Sequence, residues 1–142
     1  PKTNVILFRS ELASEEVAGR LGLKAKEKVF KLVRLRYVDD LPNVFVESYV
    51  PCALYPGLDN FDFNNKSLYA AMEECGEPVA NARRRFEAVK AEGATVTRLD
   101  VEDGDPLILF HTIGYDAQGR AVEYSIARYR GASNSFEIYV TR

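Results

Sequence analysis

The sequence predicts an α+β fold, a mainly antiparallel β-sheet with flanking helices in one domain. Residues 28–51 and 106–130 are long runs rich in Val, Ile, Leu, Phe and Tyr. Each turns back on itself at a short polar stretch, DDLP in the first and DAQG in the second. Segments with cap residues and helical apolar spacing separate these hairpins, and no low-complexity tract or linker divides the chain.

From the amino end, NVILFRSEL reads as a first strand. ASEEVAGRLGL then reads as a short helix: Ser14 is the N-cap, Val17 and Leu21 share one face, and Gly22 closes it. The hairpin Lys28–Pro51 follows. NNKSLYAAMEECG is a second helix, capped by Asn64 or Asn65, with Leu68, Met72 and Cys75 facing inward and Gly76 stopping it. VANARRRFEAV is a strand, and TVTRLDVEDGDP reads as a short helical turn around Leu99 followed by a turn-rich loop. The second hairpin comes next, and SFEIYVTR is expected to supply a last strand.

A chain of 142 residues buries roughly 68–70% of its unfolded surface, enough for a core without disulfide staples. The formal net charge of −2 provides no basic field for a polyanion, which argues against direct nucleic-acid binding by this segment. No apolar run approaches the roughly 18 residues of a membrane helix, and no signal-peptide pattern opens the chain. Cys52 and Cys75 are too few and too far apart for a disulfide framework or a zinc site. They read as reduced residues in apolar surroundings, and the expected address is cytoplasmic.

The charges inside the first hairpin are the most informative feature. Side chains alternate across a strand, so the register assigns the faces. A loop of two residues (Asp40, Leu41) or four (Asp39 to Pro42) sets Arg36 opposite Phe45, Arg34 opposite Glu47 and Leu32 opposite Tyr49. One face then carries Arg34, Arg36 and Glu47 among Phe30, Leu32, Phe45 and Tyr49. The other carries Val33, Leu35, Tyr37, Val44, Val46, Ser48 and Val50 as an almost unbroken core face. A slip of one residue would exchange the faces wholesale. An Arg34–Glu47 cross-strand pair accounts for one arginine and leaves Arg36 without an acid opposite it. Two guanidiniums roughly 7 Å apart on one strand face repel in an apolar frame. A bound anion relieves that repulsion, because arginine forks suit phosphate or carboxylate.

In the second hairpin Ala121, Glu123, Ser125, Ala127 and Tyr129 share a face that alternates small and polar residues, the make-up of a cavity wall. A solvated edge strand is the competing reading. Ser67 lies at the start of the second helix, where unpaired backbone N–H groups favour anions, and a simple helix-start role is its alternative. In ARRRF, Arg83 and Arg85 point one way and Arg84 shares the other face with Phe86. That split suits a solvated edge or dimer rim; if one arginine reaches the pocket, Arg83 or Arg85 is favoured. His111, the only histidine, has no partner for a nucleophile–base arrangement and reads as structural or pocket-lining. There is no glycine-rich phosphate loop or metal-ligand cluster, so neither a cofactor nor a metal is expected.

The segments LVRLRYVDDLPNVFVESYVP, KSLYAAME, RLDVEDGDPLI, YDAQGRAVEYS and YRG…F occur in one order over nearly the whole chain. With them the chain resembles the effector-binding UTRA domain of HutC-type transcription regulators in the GntR superfamily. The resemblance implies a chorismate lyase-like fold and a small-molecule pocket over one sheet face. It also implies a homodimer and, in the complete protein, a winged helix-turn-helix preceding this chain that binds operator DNA. Residues 1–142 are accordingly expected to be the effector-binding and dimerisation part of a longer protein.

By position, Arg34 and Arg36 correspond to the family's R-x-R, expected to grip the effector's anionic part together with Ser67. Glu47 and Glu123 correspond to carboxylates that accept from hydroxyl or amino groups, and Tyr129 to an aromatic wall or hydroxyl partner. Many members follow YRG with aspartate, whereas Ala132 follows Gly131 here, so contacts of that aspartate are not carried over. The expected function is sensing of an anionic metabolite, such as a phosphorylated sugar or amino sugar, without catalysis. The alternatives are a chorismate lyase-like enzyme, for which pyruvate release from chorismate is the discriminating assay, and a dimerisation module with a vestigial pocket.

Overall fold

A computed structural model describes residues 2–142. Strand β1 (Lys2–Leu12) leads into helix α1 (Glu15–Leu21), then the hairpin β2 (Lys28–Val38) and β3 (Leu41–Pro51). After two 3-10 turns come α2 (Leu68–Glu74), β4 (Asn81–Lys90), α3 (Ala94–Leu99) and the hairpin β5 (Pro106–Tyr115) and β6 (Ala121–Arg130). The six strands form one sheet in the order β1-β2-β3-β6-β5-β4, and every neighbouring pair is antiparallel. The expected fold class, helices flanking a mainly antiparallel sheet, is therefore the one observed.

The helix ends follow local chemistry. Ser14 Oγ accepts from the Val17 N–H at 3.2 Å, and Gly22 closes α1 in the left-handed region. In α2 the cap is Ser67, whose Oγ accepts from the Ala70 N–H at 3.1 Å, and not Asn64 or Asn65. Both asparagines are engaged one turn earlier. Asn64 Oδ1 accepts from the Val5 N–H at 2.8 Å, which ties this loop to β1, and Asn65 donates to Asp62 at 2.8 Å. Leu68, Ala71 and Met72 bury the inner face of α2, and half-buried Cys75 packs beside them.

The hairpin register differs from expectation by one residue. The turn is Asp39–Asp40, both at positive φ, so Val38 pairs with Leu41 and Tyr37 with Pro42. An irregularity then lets Asn43 bulge, and from there Arg36 pairs with Val44, Arg34 with Val46 and Val33 with Glu47. One inserted residue reverses the facing of everything beyond it on β3. Arg34 and Arg36 thus share a face with Val44, Val46 and Ser48, while Phe45, Glu47 and Tyr49 join Val33 and Leu35 on the other. The bulge is held from outside the hairpin. Asn43 and Asn134 exchange side-chain amide hydrogen bonds at 3.1 and 2.7 Å, and Ser133 Oγ donates to Asn43 at 3.0 Å.

Two cores line one sheet face, and a third core and an open concavity lie on the other. Leu99 of α3 sits fully buried with Val33, Leu35, Phe45 and Leu107. Val17 and Leu21 of α1 pack on Tyr49 and Tyr124, and Ala121 joins this cluster rather than the Glu123 face, because a bulge separates Gly114 from Tyr115. Across the sheet, α2 and the 3-10 turns cover Leu32, Val50 and Val122. Arg130 fastens α3 to the hairpin turn, donating to the Leu99 and Asp100 carbonyls and to the Pro42 carbonyl at 3.0 Å.

SFEIYVTR does not form the expected strand: residues 135–142 carry no regular structure. Phe136 packs on Phe110 and Tyr129, with ring centroids 4.6 and 5.0 Å apart, while Tyr139 is 91% exposed. An alternating apolar run becomes a strand only when a sheet edge accepts its backbone hydrogen bonds, and here none pairs with it. Among the described residues, no helix is long and apolar enough to cross a membrane.

Candidate functional site

The expected paired arginines open onto a cavity of about 320 Å³ between the sheet and the start of α2. A volume at the lower end of the range for ligand pockets suits a small metabolite. Its floor follows from the register. Arg34, Val46, Ala127, Phe110 and Phe86 form one cross-strand row, and Ser48, Ser125, Thr112 and Arg84 form the next. Ser67, Leu68 and Tyr69 close the top.

Arg34 is the best-defined cation in the cavity. Its Nε is buried without a hydrogen-bond partner among the described residues, and its Nη2 makes only a long contact of 3.4 Å to Ser48 Oγ. Burial, with the Arg36 charge two residues along, lowers its pKa to about 10. Arg36 is more exposed, and Ser67 presents its hydroxyl at the cavity edge while capping α2. No carboxylate among the described residues lies within ion-pair distance of Arg34, Arg36 or Arg84.

Glu123 supplies the one carboxylate of the cavity lining, 2% exposed. Burial pushes its pKa up to about 7, against the opposing pull of hydrogen bonds from Tyr69 and Ser125 and the charges of Arg34 and Arg84. The Tyr69 hydroxyl donates to Oε1 at 2.8 Å. Near neutral pH, Glu123 therefore accepts hydrogen bonds when ionised and donates one when protonated.

Five of the six expected site residues line this cavity: Arg34, Arg36, Ser67, Glu123 and Tyr129. Tyr129 enters as an aromatic wall, its ring 4.7 Å from Phe110 and edge-on to Phe136. Glu47 is elsewhere. The Asn43 bulge turns it to the opposite sheet face, where it pairs with Arg128 at 3.1 Å, so no Arg34–Glu47 pair forms.

In ARRRF the expectation also reverses. Arg84 reaches the pocket, because its register partner Thr112 faces it, whereas Arg85 lies 3.4 Å from Glu87. Arg84 Nε donates to Thr112 Oγ1 at 3.0 Å, and its guanidinium lies 5.5 Å from the Phe110 ring centre. The available signal was the parity that groups Arg84 with the apolar Phe86. Tyr69 was missed as well, although it shares the first turn of α2 with Ser67. His111 does not line the cavity; its Nδ1 lies 3.2 Å from the Tyr124 hydroxyl. Among the described residues, no three potential metal ligands come together.

The comparisons with known proteins agree with this architecture. The UTRA domain family model matches residues 1–134. The HTH-type transcriptional regulator GmuR of Bacillus subtilis is 32% identical over 130 residues, covering 91% of this chain and 54% of that protein. The HTH-type transcriptional repressor NagR of the same organism is 27% identical over 143 residues, covering 100% of this chain and 58% of NagR. The chain thus spans little more than half the length of these relatives.

Among solved structures, the C-terminal domain of the histidine utilization repressor from Pseudomonas syringae superposes with a TM-score of 0.92 at 20% identity, covering 99% of both chains. The ligand-binding domain of a GntR-family regulator from Bordetella bronchiseptica also gives 0.92, at 25% identity over 98% of this chain and 91% of that one. These relatives are regulators and repressors, and an enzyme role is not indicated. The chain belongs to the UTRA family, as the domain type carried by GntR-family, HutC-type transcription regulators.

Proposed function

We propose that this domain senses a small anionic metabolite and passes its occupancy to a DNA-binding domain that precedes it in the complete, cytoplasmic protein. The observation that carries this reading is the Arg34 guanidinium, buried in a cavity wall with an unpartnered Nε beside the like charge of Arg36. A buried unpaired cation is costly, and a phosphate gripped by Arg34, Arg36 and the Ser67 hydroxyl offsets that cost. Glu123 and Tyr69 then meet hydroxyl or amino groups, which favours a phosphorylated sugar or amino sugar. Tyr129 forms the apolar side against the sugar ring.

Ligand binding draws α2, through Ser67 and Tyr69, onto the sheet. In a homodimer this shifts the balance between arrangements that do and do not match operator spacing, provided the ligand binds the two unequally. The test is thermal denaturation with glucosamine 6-phosphate, neutral glucosamine and inorganic phosphate. A ligand at 100 times its Kd stabilises by about 2.7 kcal/mol. We expect the phosphorylated compound to shift the midpoint, and glucosamine alone not to. Silence from a broad panel of phosphorylated sugars would sink the reading.

A further inference from the structure

We infer that the pocket is built for a metabolite with an acidic group at each end, one held by Arg34 and Arg36 and the other by Arg84 on the facing wall. This rests on the anion-sensing reading above and narrows its ligand class. Arg34 and Arg36 stand on β2 and Arg84 on β4, at opposite sides of the five strands that floor the cavity. Four strand spacings separate their backbones by about 19 Å along a flat sheet. Arg34, Arg36 and Arg84 all line one cavity of about 320 Å³, so a ligand that fills it meets guanidiniums from both sides.

Arg84 is held ready for such a contact. Its Nε is occupied by Thr112 and its plane lies over Phe110, which fixes the side chain. No hydrogen bond to another described residue engages its terminal nitrogens. Glu123 forms no ion pair with it; its carboxyl group accepts from Tyr69 and acts on Arg84 only at longer range. A phosphate monoester answers Arg34 and Arg36, but a ligand neutral at its far end would cover Arg84 without pairing it. Desolvating an unpaired guanidinium opposes binding. A carboxylate or second phosphate at that end pairs it, and the planar fork suits a bidentate contact.

The experiment is calorimetric titration with 6-phosphogluconate and sorbitol 6-phosphate, which share a six-carbon polyol chain and differ only in a terminal carboxylate against a terminal alcohol. The carboxylate compound is expected to bind about tenfold or more tightly, the gain of one charge-assisted contact. In Arg84→Met the ratio of the two affinities is expected to fall to near one. Equal affinities in the unaltered protein, or a ratio that survives Arg84→Met, overturn the inference. Sorbitol 6-phosphate separates the two readings. If it binds and loses affinity in Arg36→Ala while the ratio is near one, anion sensing stands and the two-ended ligand falls. If neither compound binds, and phosphorylated sugars at large do not, both fall.

Discussion

The Tyr69 hydroxyl donates a 2.8 Å hydrogen bond to Glu123 Oε1 and so links the first turn of α2 to the middle of the sheet. The contact depends on Gly114. A Cβ there would sit 3.3 Å from both Glu123 Oε1 and the Tyr69 oxygen and 3.1 Å from Val79 Cγ1. Helix and sheet therefore communicate through one polar contact at a carboxyl group whose charge is easily changed.

The sign of the pH dependence follows from that group. Glu123 titrates near 4.5 when unperturbed and near 7 in the folded protein, chiefly because burial disfavours its charge. The fold thus prefers the protonated form. This contribution is complete below pH about 4.5 and is lost as pH rises through about 7. Glu123→Gln should match the parent in urea denaturation at pH 4.5 and be more stable by on the order of 3 kcal/mol at pH 9. A difference that does not grow with pH would contradict the assignment.

Arg34→Met should separate stability from sensing. The change removes a buried cation that lacks a partner at Nε and faces a like charge. The ligand-free domain is expected to gain about 1 kcal/mol, while its midpoint shift with phosphorylated sugar disappears. A large loss of stability would mean that the guanidinium serves the fold.

Asn43→Ala tests the bulge. The reciprocal amide bonds to Asn134 and the contact from Ser133 hold the inserted residue in place. Their loss should cost about 1–3 kcal/mol in denaturant midpoint. It should also weaken phosphate-ester binding, because the bulge is what brings Val46 and Ser48 alongside Arg34 and Arg36. Full stability in this variant would show that the register is fixed by other means.

Gly131→Ala tests the corner after β6. A Cβ at this position would lie 2.6 Å from the Pro106 carbonyl oxygen, a backbone atom at the start of β5. Relief requires the two strands to part, and a loss of about 2 kcal/mol or more is expected in thermal denaturation. Ala132→Gly, one residue on in the same 3-10 turn, should cost far less.

Much of the fold was legible because its signals are local. Ser14 and Gly22 bracket α1 by backbone chemistry that any nearby chain would not alter. The two polar turns mark both hairpins. The site was legible to the extent that it depends on parity within one strand: Arg34 and Arg36 share a face whatever they pair with, as do Glu123, Ser125, Ala127 and Tyr129. Glu47 was misplaced because its facing depends on a bulge stabilised by Asn134, far along the chain.

The sequence by itself determined the order of strands and helices as far as β6, the caps of α1, and the pairing of two guanidiniums on one side of one strand. Tertiary structure decided what those guanidiniums face. It turned Glu47 away to Arg128, brought Arg84 across from the far strand, and gave SFEIYVTR no edge to pair with. The physical reason is that side-chain alternation is a property of a few consecutive residues. Register and edge pairing are set by backbone hydrogen bonds between distant segments, and one inserted residue reverses them.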